Sequence, residues 1–194
     1  MAKLSSLCVY CGASPGNDPA HRDAAARLGR SLAERGVRLV YGGGRVGLMG
    51  VTADAVIAAG GSVTGIIPRH LYRREVAHGA VGELVIVDSM HARKRRMFEL
   101  ADAFAVLPGG LGTLDETIEI ITWRQLGLHD KPIVVIDVEG YWRPLVALVE
   151  HAIGAGFARA EALRLFSLVP RVEDLFDVVA AAPEPRVTAD ERRL

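Results

Sequence analysis

VLPGGLGTLDET, residues 106–117, runs from an apolar stretch into Pro-Gly-Gly-x-Gly-Thr and then turns acidic. An apolar run closed by glycines and followed by a helical pattern is a strand–loop–helix unit. Gly109, Gly110 and Gly112 let the backbone approach an anion, and the helix opening near Thr113 offers unpaired N–H groups at a positive dipole end. The Lys-Ser/Thr pair of a nucleoside-triphosphatase P-loop is absent. Asp115 and Glu116 set a puzzle, because carboxylates beside such a loop repel anions. Thr113-Leu114-Asp115-Glu116 also spells a capping box, in which Glu116 reaches back to cap the helix. Both readings of Glu116 stand at this point.

The same unit repeats in both directions along the chain. SLCVYCG, VRLVYGG, SVTGIIP, ELVIVDS, AFAVLPGG and PIVVIDV are short apolar runs, mostly ended by Gly, Pro, Ser or Asp, and LFSLV near residue 167 is a shorter seventh. Several are apolar without a break, as expected when helices cover both faces of a parallel sheet. Helical patterns lie between them: Pro19–Arg35, GLMGVTADAVIAAG, MHARKRRMFELA, TLDETIEIITWRQLGL, YWRPLVALVEHAIGAG and VEDLFDVVAAA. The alternation predicts an α/β fold: a Rossmann-like, doubly wound parallel sheet of six or seven strands with helices on both faces. Residues 1–182 are expected to form one domain, and 183–194 a polar, Pro-broken tail. Ligands of such sheets bind beyond the carboxyl ends of the strands. The unusual residues fall there: Gly12-Ala13-Ser14, Gly42-Gly43-Gly44, Asp88-Ser89-Met90-His91 and Pro108–Thr113.

Composition narrows the function. With 194 residues, 23 basic and 23 acidic, the chain has no global field to attract nucleic acid or an acidic membrane. It carries no apolar run of membrane-helix length and no signal-peptide pattern, so a cytoplasmic protein is expected. Cys8 and Cys11 form a CxxC, but within a strand, where residues three apart point to opposite faces; two buried strand cysteines are expected, and no metal site.

YGGGRVGLMG holds a second glycine loop, G-x-G-x-x-G at Gly42, Gly44 and Gly47. A dinucleotide site would want an acid at the end of the next strand, and SVTGIIP ends in Ile and Pro. An NAD dehydrogenase is therefore disfavoured, leaving tight turns or some other ligand contact. Arg93, Lys94, Arg95 and Arg96 crowd the start of a helix, where cations oppose the dipole. Arg95 can offset this by pairing with Glu99. The cluster is either a solvated basic face or one that meets an anionic ligand or a carboxylate such as Glu116.

SMHARK, PGGLGTLDE and ITWRQLGLHDKP, with CGAS and YGGGRVGLMG before them, resemble the LOG ("Lonely Guy") family over residues 5–180. These are cytokinin riboside 5′-monophosphate phosphoribohydrolases, long mislabelled lysine decarboxylases. The resemblance implies a hydrolase that cleaves purine nucleoside 5′-monophosphates to base and ribose 5-phosphate. It implies Arg93 and Glu116 as catalytic residues, a phosphate loop at Gly109, Gly110, Gly112 and Thr113, and further substrate contacts at Ser14, Gly43, Gly44, Met90 and Lys94. Ala13 replaces a serine of the family's Cys-Gly-Ser-Ser turn, and Arg45 stands where many relatives have a smaller residue. A homodimer is implied; no cofactor, metal, nucleic acid or membrane partner is. Pyridoxal phosphate needs a lysine, and Lys3, Lys94 and Lys131 have no suitable setting. Two alternatives remain: a non-catalytic nucleotide or molybdenum-cofactor carrier, and a broader AMP nucleosidase.

Overall fold

The computed structural model describes residues 4–72 and 82–183. Seven strands form one sheet: β1 (Ser6–Tyr10), β2 (Arg38–Tyr41), β3 (Val63–Pro68), β4 (Glu83–Val87), β5 (Ala103–Val106), β6 (Ile133–Ile136) and β7 (Ser167–Val169). Every pairing is parallel, in the order β4-β3-β2-β1-β5-β6-β7. Among the described residues, six α-helices lie between and after them: α1 (Pro19–Glu34), α2 (Gly47–Ala58), α3 (Met90–Glu99), α4 (Leu111–Gln125), α5 (Arg143–Gly154) and α6 (Asp174–Ala181). This is the doubly wound α/β sheet expected from the alternation. The polar tail beyond residue 183 lies outside the described residues.

Strand alternation gives each face its own core. Leu7, Val9, Leu39 and Tyr41 point to one side and pack against α1, α2 and α6. Cys8, Tyr10, Val40 and Phe104 point to the other, with Met97 and Phe98 of α3, Ile120 and Ile121 of α4 and Leu145 of α5. Cys8 and Cys11 are both buried and free, and they fall in opposite cores. The central strands are fully buried. β4 is not: it forms the sheet edge and leaves Ile86 exposed, so its unbroken apolar run marks an edge rather than a strand covered on both faces.

Sheet order reverses at β1, whose neighbours are β2 and β5. At such a switch point the connections leave in opposite directions and a crevice opens beyond the strand ends. Here the two chain segments touch: the Gly12 amide donates to the Pro108 carbonyl at 3.0 Å. α3 then crosses from edge strand β4 back toward the centre before β5, which carries its first turns over the crevice.

Candidate active site

The crevice is a cleft of about 670 Å³. Its lining comes from the loops after β1 (Cys11–Asp18), β2 (Gly42), β4 (Met90 and Arg93, on α3) and β5 (Pro108–Thr113, Asp115 and Glu116). The four expected loops therefore meet. Arg93, Glu116, Ser14, Met90, Gly109, Gly110, Gly112 and Thr113 all line the cleft, whereas Gly43, Gly44 and Lys94 do not.

The mouth of α4 forms one end. Its N-cap is Gly110, which has no side chain with which to cap it. The helix thus begins two residues before Thr113, so Thr113 is not its cap residue, and of the two readings the capping box that Thr113-Leu114-Asp115-Glu116 spells does not form. Thr113 instead sits buried in the first turn, its hydroxyl so close to Gly109 that a Cβ there would collide with it. A Cβ at Gly110 or Gly112 would meet nothing within 4 Å, so both glycines face open space. An uncapped helix start bordered by open glycines leaves main-chain N–H groups for an anion. Tyr141, in the loop after β6, donates its hydroxyl to the Gly109 carbonyl at 2.6 Å and walls the same end.

Arg93 enters from α3, which is capped by Ser89 accepting from the Ala92 amide at 3.1 Å. Its guanidinium is buried and donates through Nη2 to the Gly42 carbonyl at 2.8 Å, with Nη1 3.9 Å from the Met90 sulfur. Main chain at the end of β2 thus takes part in holding the buried charge. Glu116 is half-buried on α4, in the turn that follows the helix start. Its field reaches the cleft floor. Burial first and Glu116 second push the Cys11 thiol well up, while Arg93 opposes them. Cys11 thus senses both side chains from below.

Lys94 turns the other way. Its ammonium is buried between Asp115 Oδ2 (3.1 Å) and Glu119 Oε1 (3.0 Å) of α4. Arg95 and Arg96 pair with Glu99 on the outer side of α3, the first as its spacing predicted. The basic cluster so divides into one cleft residue, one interhelical residue and two surface ones.

Sequence reasoning placed Gly42, Gly43 and Gly44 on the rim but took Gly43 and Gly44 as the substrate contacts, and it gave no site role to Cys11, His21 or Tyr141; Gly42 and these three line the cleft. Gly42 was hidden among three consecutive glycines. Tyr141 was within reach of the same rule that found the other loops, since the β6 loop also leaves a carboxyl end beside β5.

A family model described as "Possible lysine decarboxylase" matches residues 49–179. The chain is 44% identical over 174 residues to rice (Oryza sativa subsp. japonica) cytokinin riboside 5′-monophosphate phosphoribohydrolase LOG, covering 90% of this chain and 72% of the relative. It is also 44% identical to an Arabidopsis thaliana enzyme with the same activity name, covering 90% and 82%. Among solved structures, a molybdenum cofactor binding protein from Rippkaea orientalis superposes with a TM-score of 0.69 at 20% identity, covering 93% of this chain and 98% of that one. The molybdenum cofactor carrier protein of Chlamydomonas reinhardtii gives 0.68 at 19%, covering 91% and 98%. Likeness at that distance shows a shared fold.

Proposed function

Because this chain belongs to the LOG family of cytokinin riboside 5′-monophosphate phosphoribohydrolases, we propose that it hydrolyses the N-glycosidic bond of a purine nucleoside 5′-monophosphate. Water adds to the anomeric carbon, the bond to the base nitrogen breaks, and the base leaves with a proton. The products are free base and ribose 5-phosphate.

One observation carries the site assignment: Arg93 and Glu116, from different helices, line one cleft whose end is an uncapped helix start with two open glycines. The 5′-phosphate is assigned to the α4 mouth, held by main-chain amides near Gly110, Gly112 and Thr113. Glu116 lies one helical turn further on, level with the sugar. Glycosidic cleavage passes through an oxocarbenium-like state. A carboxylate at that height stabilises the cation or takes the proton of the attacking water. Arg93 keeps its own proton; anchored by Gly42, it orients Glu116 or offsets negative charge on the departing base. The acidic run is then no obstacle. Lys94 neutralises much of Asp115 and Glu119, and Glu116 addresses the ribose.

A decarboxylase would require a lysine in the cleft to hold pyridoxal phosphate. Lys94 is enclosed by two carboxylates, Lys131 donates to the Phe98 carbonyl at 2.8 Å, and neither lines the cleft. Neither lysine among the described residues fits that cofactor; Lys3 lies outside them. A carrier role finds support only in distant fold likeness, against 44% identity to hydrolases.

We further propose a cytoplasmic homodimer. Its supports are two free, buried cysteines, as a reducing compartment allows, and exposed Leu111, Ile118 and Leu126 along α4.

Glu116→Gln tests the assignment. The variant keeps the side chain's shape and, with no capping box to maintain, its fold. It should bind AMP yet release adenine at least about 100-fold more slowly. Base release at the wild-type rate would remove Glu116 from the chemistry. Wild-type protein that released no base from AMP or from N6-prenylated AMP would end the hydrolase reading.

A further inference from the structure

Consecutive helical residues leave the axis about 100° apart, so two neighbours serve different surroundings. On α3, Arg93 points into the cleft and Lys94 toward α4. On α4, Glu116 and Asp115 both line the cleft, and Asp115 and Glu119, one turn apart, both reach Lys94. Like charges at that spacing repel one another on an isolated helix; a buried ammonium between them reverses the balance. Burial opposes the charge on Lys94, but its hydrogen bonds to Glu119 and Asp115 outweigh that and hold its pKa above the ordinary lysine value. The ammonium stays charged at any assay pH near neutrality.

We propose that Lys94 is a positioning residue: bound to Asp115 and Glu119, it clamps α3 to α4 and sets Arg93 against Glu116 across the cleft. The proposal rests on the hydrolase reading for its effect on turnover. It departs from the substrate contact expected for Lys94, whose ammonium is held by Asp115 and Glu119 and does not line the cleft. Each half of the clamp adjoins a catalytic residue. Loss of the clamp therefore lets the pair drift while the phosphate cradle, built by the β5–α4 loop, is left alone.

Lys94→Met, Glu119→Ala and their double variant test this, since neither side chain lines the cleft. Each single change should lower kcat for AMP hydrolysis by about 10- to 100-fold, the cost of a misplacement near 1 Å, with KM within about threefold of wild type. The double variant should be no worse than the weaker single, because both remove one interaction. Single-variant kcat values near wild type would overturn the proposal, as would a raised KM at unchanged kcat, or multiplying losses in the double. Should Lys94→Met fail to fold, Glu119→Ala alone decides. The Arg93 Nε–H NMR resonance gives a readout independent of turnover. It should move in Glu119→Ala, and a signal that stays in place overturns the clamp even if the wild-type protein proves to have no nucleotidase activity.

Discussion

Two glycine loops with nearly the same spelling lie on the same rim and do opposite things. In the β2–α2 loop, the space where side chains would stand is filled by protein. A Cβ on Gly42 would strike the Arg93 guanidinium, one on Gly43 would press on Ile66 and Ile67, and one on Gly47 would enter the Ala13–Ser14 backbone. In the β5–α4 loop, Gly110 and Gly112 face nothing. A glycine pattern reports that backbone must come close to something; only the surroundings say whether that something is the protein or a ligand. The first loop is packed into the wall of the cleft, and the second faces open space.

Substituting alanine separates the two. Gly47→Ala should be the most damaging. Gly47 has φ 61°, where an L-residue costs about 1–2 kcal/mol, and the added methyl overpacks the β1 loop for about 1–3 kcal/mol more. Thermal unfolding should move down by roughly 10 °C, or the protein should fail to accumulate. A variant as stable as wild type would mean that the two loops do not pack as tightly as described.

Gly42→Ala comes next, and its damage is chemical. Its φ is not in the left-handed region, so the backbone tolerates alanine, but Arg93 must leave its place and lose the Gly42 carbonyl. A buried charge deprived of such a bond costs about 1.5–3 kcal/mol. Adenine release should fall about 100-fold in a protein that still folds cooperatively. Unchanged kcat would mean that Arg93 acts from another position, or not at all.

How much of this the sequence disclosed follows from what kind of information each feature needs. Strands and helices came through because period and terminators are local: Pro19 opens α1, and Gly42 and Pro108 follow β2 and β5. The rim came through because parallel topology puts every such loop on one side. The start of α4 did not. Thr113-Leu114-Asp115-Glu116 satisfies the local rule for a cap, but a helix that begins at Leu111 buries Thr113 against Gly109 and keeps its N–H groups uncapped. The partners of Lys94 were hidden for a similar reason. Lys94 adjoins Arg93 in a motif of cations, and only the rotation of α3 relative to α4 shows that it turns toward Asp115 and Glu119. Among Gly42, Gly43 and Gly44 the chain offers no local mark of which one Arg93 will approach. The edge position of β4 was not legible, because an apolar run records hydrophobicity, not position in the sheet.

Gly112→Ala is the mildest change and the one that isolates the ligand. Gly112 is the second residue of α4, has no positive φ, and its methyl would meet nothing in the free protein. Alanine in place of glycine there should stabilise, by up to about 1 kcal/mol, so Tm should hold or rise slightly. The methyl would nevertheless occupy the approach to the α4 amides. Affinity for AMP, and for inorganic phosphate as a competitor, should drop about tenfold, equivalent to roughly 1.4 kcal/mol, with kcat at saturation little changed. Raised Tm beside weakened phosphate binding has no account in packing, because nothing in the free protein is lost. Equal binding by the two proteins would show that no anion comes to the mouth of α4, and the open glycines would need another explanation.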